Sequence, residues 1–199
     1  EINHINDNDI SEKLESEVVD YIKSVVHEYD LILVSDFGHG FITDNLIEKI
    51  EEFPVKLAVN AQTNGANAGY NLITKYKNTH FICLDAPEAR LATQEKHAEI
   101  DNVARKLLNE VNTDCLVITV GDRGSICINR EGEINLTPAF ATKVVDVIGA
   151  GDAFFSLSSL CFASGMSMDL VSFFGNAIGA LSVRIVGNKR SVEGYEIKE

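Results

Sequence analysis

The sequence predicts an α/β fold: a three-layer αβα sandwich around a mostly parallel central sheet, built as one domain over residues 1–199. Three observations predict it. Short apolar runs alternate with helical segments through the first two-thirds of the chain, the pattern of repeated strand–helix–strand units. Several of those runs are apolar on both faces, so both faces of the sheet must be covered. No internal repeat, low-complexity tract or Pro/Gly/Ser linker divides the 199 residues, a length sufficient for one sizeable core.

The elements follow in order. Ser11 to Tyr29 reads as a helix, with Leu14, Val18, Tyr21, Ile22 and Val25 at helical spacing and acids gathered in the first turns. LILVSD, Leu31 to Asp36, has strand length. Thr43 is placed to cap a second helix that carries Leu46, Ile47 and Ile50 on one face and stops before Pro54. VKLAVN, from Val55, is a second strand. Ala61 to Lys77 is rich in Asn and Gly and reads mostly as loop. FICLD, from Phe81, is a strand, with a helix starting near Pro87, and Ala98 to Val111 is helical. CLVITVG, from Cys115, is a strand entering a glycine turn; SICINREGEINL is a hairpin with Glu131-Gly132 near its tip. Two helices, Ala150 to Ala163 and Met168 to Val186, complete the pattern.

Composition narrows the function classes. Lys and Arg total 17 against 30 Asp and Glu, a net charge of −13. That excess of acid argues against nucleic acid or an anionic membrane as the main partner. It says little about a small substrate, because a site can be locally positive on an acidic protein. Cys83, Cys115, Cys127 and Cys161 are far apart and mostly lie in apolar runs. They read as buried free thiols, which fits a reducing cytoplasm. No stretch has the length of a membrane span and no signal peptide is visible. The chain opens at Glu1 rather than Met, and an upstream part is expected to have been removed.

In open α/β sheets ligands gather at the carboxyl ends of the strands. Three marked stretches fall there: CLDAPEARL from Cys83, ITVGDRGS from Ile118 and VVDVIGAGD from Val144. GAGD is the most informative. If a helix starts near Gly149 or Ala150, its free N–H groups point outward at the positive end of the helix dipole. Small residues then let an anion approach that backbone. Asp152, in the first turn, can orient and deprotonate a hydroxyl attacking phosphorus. On spacing alone a plainer reading is equally open: a tight strand-to-helix turn with Asp152 as a partner of the dipole. Asp36-Phe37-Gly38 invites a protein-kinase reading, but the sequence has no H-R-D catalytic loop, V-A-I-K lysine or G-x-G-x-x-G to accompany it. No P-loop is present. None of His4, His27, His39, His80 and His97 has ligand spacing with another His or Cys. The small residues of FFGNAIGALSV read mainly as close helix packing, with Asn176 a candidate ligand contact.

DVIGAGDAFFS, from Asp146, resembles the D-T-x-G-A-G-D-x-F signature of the PfkB family of carbohydrate kinases, whose fold is ribokinase-like. VITVGDRGS resembles the family's T-x-G-x-x-G nucleotide stretch, and LDAPEARLA stands where the family carries N-x-x-E. NAIGALSV resembles its late adenine-side helix. SDFGHG resembles the S-D-Y-G-K-G of the heptose-phosphate kinase branch. The resemblance covers roughly residues 30 to 190.

The resemblance implies ATP-dependent phosphoryl transfer to a hydroxyl of a sugar or sugar phosphate, with a heptose-phosphate-like acceptor favoured. Asp152 would be the base, and Gly149, Ala150 and Gly151 the anion hole. Thr119, Gly121 and Gly124 would line the ATP phosphates and ribose, Asn176 the adenine side, and Asn60 is placed with these nucleotide contacts. Glu88, with Asp85, would help hold Mg²⁺ through water; Asp36 and His39 are substrate-side candidates. A monovalent cation near the signature, a homodimer and a fused nucleotidyltransferase domain are further expectations.

The sequence also departs from the family pattern. Val147 replaces the signature Thr, Asp85 replaces the Asn of N-x-x-E, and Asn60-Ala61-Gln62 stands where heptose kinases carry D-P-K. His39 stands where S-D-Y-G-K-G has lysine. The family's N-terminal sugar-binding and lid segment has no counterpart in the chain, which is therefore expected to be a fragment of a longer kinase. The alternative is a non-catalytic nucleotide-binding or scaffold module attached to another domain such as a nucleotidyltransferase.

Overall fold

The computed structural model describes residues 8–63, 67 and 69–197. His4 and part of the Asn-rich loop, residues 64–66 and 68, lie outside the described residues. Six strands form one sheet in the order β1 (Leu31–Asp36), β2 (Lys56–Ala61), β3 (Phe81–Asp85), β4 (Cys115–Thr119), β5 (Ser125–Asn129) and β6 (Ile134–Thr137). Strands β1 to β4 are parallel; β5 and β6 are added antiparallel. Spatial order follows chain order, because each crossover returns the chain beside the strand it has just left.

The expected covering on both faces is present and follows from period-two side-chain alternation. Leu57, Val59, Ile82, Leu84, Leu116, Ile118, Ile126 and Ile128 point into one core. That core is closed by α1 (Glu12–Val25), α2 (Asp44–Glu51), α3 (Ala86–Thr93) and α4 (Ile100–Glu110). Ala58, Phe81, Cys83, Cys115, Val117 and Cys127 point the other way, against α5 (Ala150–Ala163) and α6 (Met168–Ser182). All four cysteines are buried free thiols. Among the described residues no helix is long and apolar enough to cross a membrane.

Local signals explain most boundaries. Ser11 Oγ accepts from Leu14 N, and Thr43 Oγ1 accepts from Leu46 N, so both helices start at side-chain caps. Asp85 and Glu88 form a capping box at the start of α3. The first helix ends earlier than expected, tightening into a 3₁₀ turn over Val26–Glu28. The last helix also ends early, at Ser182 rather than Val186. The Val183 carbonyl beyond it accepts from Val145 N (2.8 Å) and Asp146 N (3.1 Å), so the segment approaching GAGD satisfies the helix end.

Candidate active site

The direction of α5 places the site. Near its C-terminal end, Lys56 at the start of β2 donates to Ala163 O at 2.8 Å. At its N-terminal end, Gln62 just beyond β2 donates to Asp152 Oδ1 at 2.8 Å. The helix therefore crosses β2 with its first turn over the carboxyl edge of the sheet. Asp36, Ala61, Asp85 and Thr119 end their parallel strands at that edge, and Ser125 opens β5 opposite Thr119.

Gly149 caps α5 with φ 79°, a left-handed conformation that a side chain would strain. The Ala150 N–H turns back to Val147 O at 3.2 Å, and the Ala153 N–H makes the first helical bond to Gly149 O at 3.0 Å. The N–H groups of Gly151 and Asp152 between them have no intrahelical acceptor. Ala150 and Gly151 line a cleft of about 840 Å³, which also takes in Asp85, Thr119 and Asn176. Asp152 is exposed beside it. The turn thus opens on a cavity, as an anion site requires. Asp146 is committed to backbone: its oxygens accept from Ile148 N (3.1 Å) and Gly187 N (2.7 Å), and those donors hold its carboxyl below the usual range.

The wall opposite α5 is the turn after β4. Gly121 and Gly124 both have positive φ, and Val120 N donates to Gly124 O at 2.7 Å across the turn. Arg123 is the one cationic side chain among the lining residues. Asn176 is buried and donates to Ser125 Oγ (2.7 Å) and Ser172 O (2.8 Å), fixing α6 to the start of β5. Thr119 Oγ1 is directed at Leu84 O, at 3.4 Å.

Asp85 lines the cleft, and Glu88 is joined to it in the first turn of α3. Glu88 Oε2 accepts from Asp85 N (2.9 Å), Glu88 Oε1 from Thr63 N (3.1 Å), and Asp85 Oδ1 from Glu88 N (2.7 Å). Burial, with the neighbouring Asp85 charge, pushes the Glu88 carboxyl up to about 7 against the pull of those two backbone donors. No group of three or more His, Cys, Asp or Glu among the described residues is arranged to hold a metal. One half-buried and one exposed carboxylate instead suit Mg²⁺ carried mainly by phosphate oxygens and water.

Six expected residues lie outside the cavity lining: Gly149 and Asp152, which flank the lining pair Ala150 and Gly151, together with Glu88, Asn60, Asp36 and His39. Asn60 is buried and donates to Cys83 O at 2.7 Å, stapling β2 to β3. Asp36 is buried and accepts from Gly38 N (2.9 Å) and Tyr76 OH (2.8 Å), with Lys75 Nζ at 2.6 Å. His39 follows in the loop that Asp36 anchors. Sequence reasoning missed the task of the asparagines. Asn67 donates to Phe37 O, and Asn71 to both Asp36 O and Gln62 O, so the Asn-rich loop satisfies strand-end carbonyls.

A sheet whose parallel strands end at one edge, with a helix N-terminus facing a cleft there and an acid next to it, is an α/β arrangement with a candidate anion site. The chain belongs to the pfkB family of carbohydrate kinases, which it matches over residues 5–193. It is 27% identical over 176 residues to the bifunctional protein HldE of Rhodopseudomonas palustris, covering 87% of this chain and 35% of that protein. It is 28% identical over 189 residues to the HldE of Campylobacter curvus, covering 94% and 39%. The chain therefore spans well under half the length of these curated relatives. Among solved structures, phosphofructokinase-2 from Escherichia coli in complex with potassium superposes with a TM-score of 0.79 at 14% identity, over 96% of this chain and 62% of that one. Ribokinase from Thermotoga maritima gives 0.74 at 19%, over 94% and 60%. Arabidopsis thaliana ribokinase, complexed with ribose and ATP, gives 0.69 at 14%, over 90% and 55%. At these identities the solved structures show the shared fold.

Proposed function

We propose that this chain carries the nucleotide half and the catalytic base of an ATP-dependent kinase acting on a hydroxyl of a sugar or sugar phosphate, with a heptose-phosphate-like acceptor favoured. One observation carries the reading: the first turn of α5 opens on the 840 Å³ cleft through Ala150 and Gly151, and Asp152 follows them directly, exposed next to that lining. Asp152 takes the proton of the acceptor hydroxyl. The oxygen so formed bonds to the γ-phosphorus as the bond to the ADP oxygen breaks, and the GAGD amides take up the charge developing on the transferred group. The turn Thr119 to Gly124 and Asn176 hold the nucleotide. Bound Mg²⁺ would neutralise phosphate charge, and Asp85 and Glu88 are the residues placed to hold it through water. No step uses a monovalent cation.

The acceptor side lies over β1 and β2, beyond Asp152 from the nucleotide cleft. β1 is an outer strand, and Leu33 on it is 40% exposed. An open apolar edge of this kind suits a further segment of a longer kinase polypeptide that completes the sugar site.

The test is a full-length kinase containing this chain, assayed with Mg·ATP across sugars and sugar phosphates. Asp152→Asn should lower kcat by roughly 10²–10⁴-fold, the range for a general base. A variant as fast as wild type removes Asp152 from this role. Calorimetry showing no Mg·ATP binding at millimolar nucleotide would instead favour a purely structural module.

A further inference from the structure

We propose that Gln62 is a positioning residue for Asp152: its amide holds one carboxylate oxygen so that the other faces the acceptor hydroxyl. This rests on Asp152 being the base. An aspartate in the exposed first turn of a helix has several rotamers, some of which bond back to its own backbone. Here Gln62 Nε2 donates to Asp152 Oδ1 at 2.8 Å, from a residue 90 positions earlier in the chain. The amide is well placed to direct rather than follow, because its own backbone is pinned on both sides. Gln62 N donates to Asp36 O at 2.8 Å, and Gln62 O accepts from Asn71 Nδ2 at 3.0 Å. The Asp152 Oδ2 atom accepts no hydrogen bond from the described residues and is left for the substrate.

The residue type fits the task. Gln62 occupies the place where the heptose-kinase stretch carries lysine. A neutral amide can orient a carboxylate without placing a fixed positive charge beside it. The interaction also couples β2 to α5, the two elements between which the acceptor and the phosphoryl group must meet. A small error in that placement is costly, since a shift of about 1 Å in a reacting group can cost 10²-fold in rate.

Steady-state kinetics on the full-length kinase test this with Gln62→Leu, Gln62→Glu and Gln62→Lys, alone and in an Asp152→Asn background. Gln62→Leu and the isosteric Gln62→Glu should each lower kcat by about 10- to 100-fold while leaving the KM for Mg·ATP unchanged. Gln62→Lys restores a donor but sets a fixed positive charge beside the base, so it should recover only part of the loss. In the Asp152→Asn background, Gln62→Leu should have no further effect, the non-additivity expected of residues acting as one unit. A wild-type kcat for Gln62→Leu with an impaired Asp152→Asn overturns the positioning role and leaves the base intact. Losses that simply add, or that appear in KM alone, overturn it as well. Full activity of Asp152→Asn removes both.

Discussion

Lys75 Nζ lies 2.6 Å from Asp36 Oδ2 at the end of β1, where the Asp36 side chain is 1% exposed. The sequence signals Asp36 as a substrate-side candidate, yet its carboxylate is surrounded by protein donors. Tyr76 OH, Gly38 N and, at 3.4 Å, Asn71 Nδ2 are the others. The arrangement anchors the loop that carries His39, so any service to the acceptor is indirect. Lys75→Met leaves a buried carboxylate short of its counter-charge and should cost about 3 kcal/mol of stability. Tyr76→Phe removes one neutral donor and should cost about 1–2 kcal/mol. Urea unfolding of the two variants gives the comparison, and equal midpoints to wild type would mean that the cluster holds nothing.

Gly121 and Gly124 are matched in the sequence motif but differ in the fold. A Cβ on Gly124 would run into the backbone at Thr137 O, Ala139 N and Pro138 C, at a φ of 92°. A Cβ on Gly121 meets nothing within 4 Å, at a φ of 59°. Gly121→Ala should therefore cost only left-handed strain, about 1–2 kcal/mol. Gly124→Ala must push the chain after β6 away and should cost roughly 3 kcal/mol or more. The same displacement deforms the cleft, so Mg·ATP binding measured by calorimetry should weaken for Gly124→Ala well beyond Gly121→Ala.

Those two glycines show where a sequence is legible and where it is not. The runs LILVSD and FICLD match β1 and β3 residue for residue, and Thr43 caps α2 as expected. Each signal is local, written in the pattern of a few neighbouring side chains. The site turns, GAGD and the loop after β4, were legible as turns for the same reason. Contacts made across the chain were not. Asn67 reaches a carbonyl 30 positions away and Gln62 a carboxylate 90 positions away, and nothing in an Asn-rich stretch announces which strand end it will meet. Asn60 shows the cost of reading a motif position alone: its amide is spent on Cys83 O rather than turned to the cleft.

Glu88 should make stability and Mg²⁺ dependence respond to pH. Its carboxyl, raised to about 7 chiefly by burial, holds its proton more tightly in the folded chain than in the unfolded one, where the ordinary value is 4.5. Stability from this group is then fully present below pH 4.5 and is lost as pH rises through about 7. Thermal unfolding of wild type and Glu88→Gln from pH 5 to pH 8 isolates the effect. The wild-type Tm, taken relative to the variant, should fall across that range and level off above it. Mg²⁺ favours the ionised form, so its stabilising effect on the ATP-bound protein should be larger at pH 8 than at pH 6. A Tm difference that stays constant with pH would place the Glu88 carboxyl near its ordinary value.

Gly151→Ala separates folding from catalysis at the GAGD turn. Gly151 is the second residue of α5, its φ is not positive, and a Cβ there meets nothing within 4 Å. As a helix substitution, glycine to alanine is favourable by up to about 1 kcal/mol, so the variant should unfold at a temperature equal to or a few degrees above wild type. The new methyl group, however, stands at the rim of the cleft beside the amides left open by the first turn. An anion that must approach those amides closely meets it first. The full-length kinase carrying this change should lose about 10-fold or more in kcat/KM for Mg·ATP while gaining stability, a combination that a turn serving only to start a helix does not produce. Unchanged kinetics in the stabilised variant would show that the transferred phosphoryl group does not come to this backbone, and the anion-hole role of GAGD would have to be withdrawn.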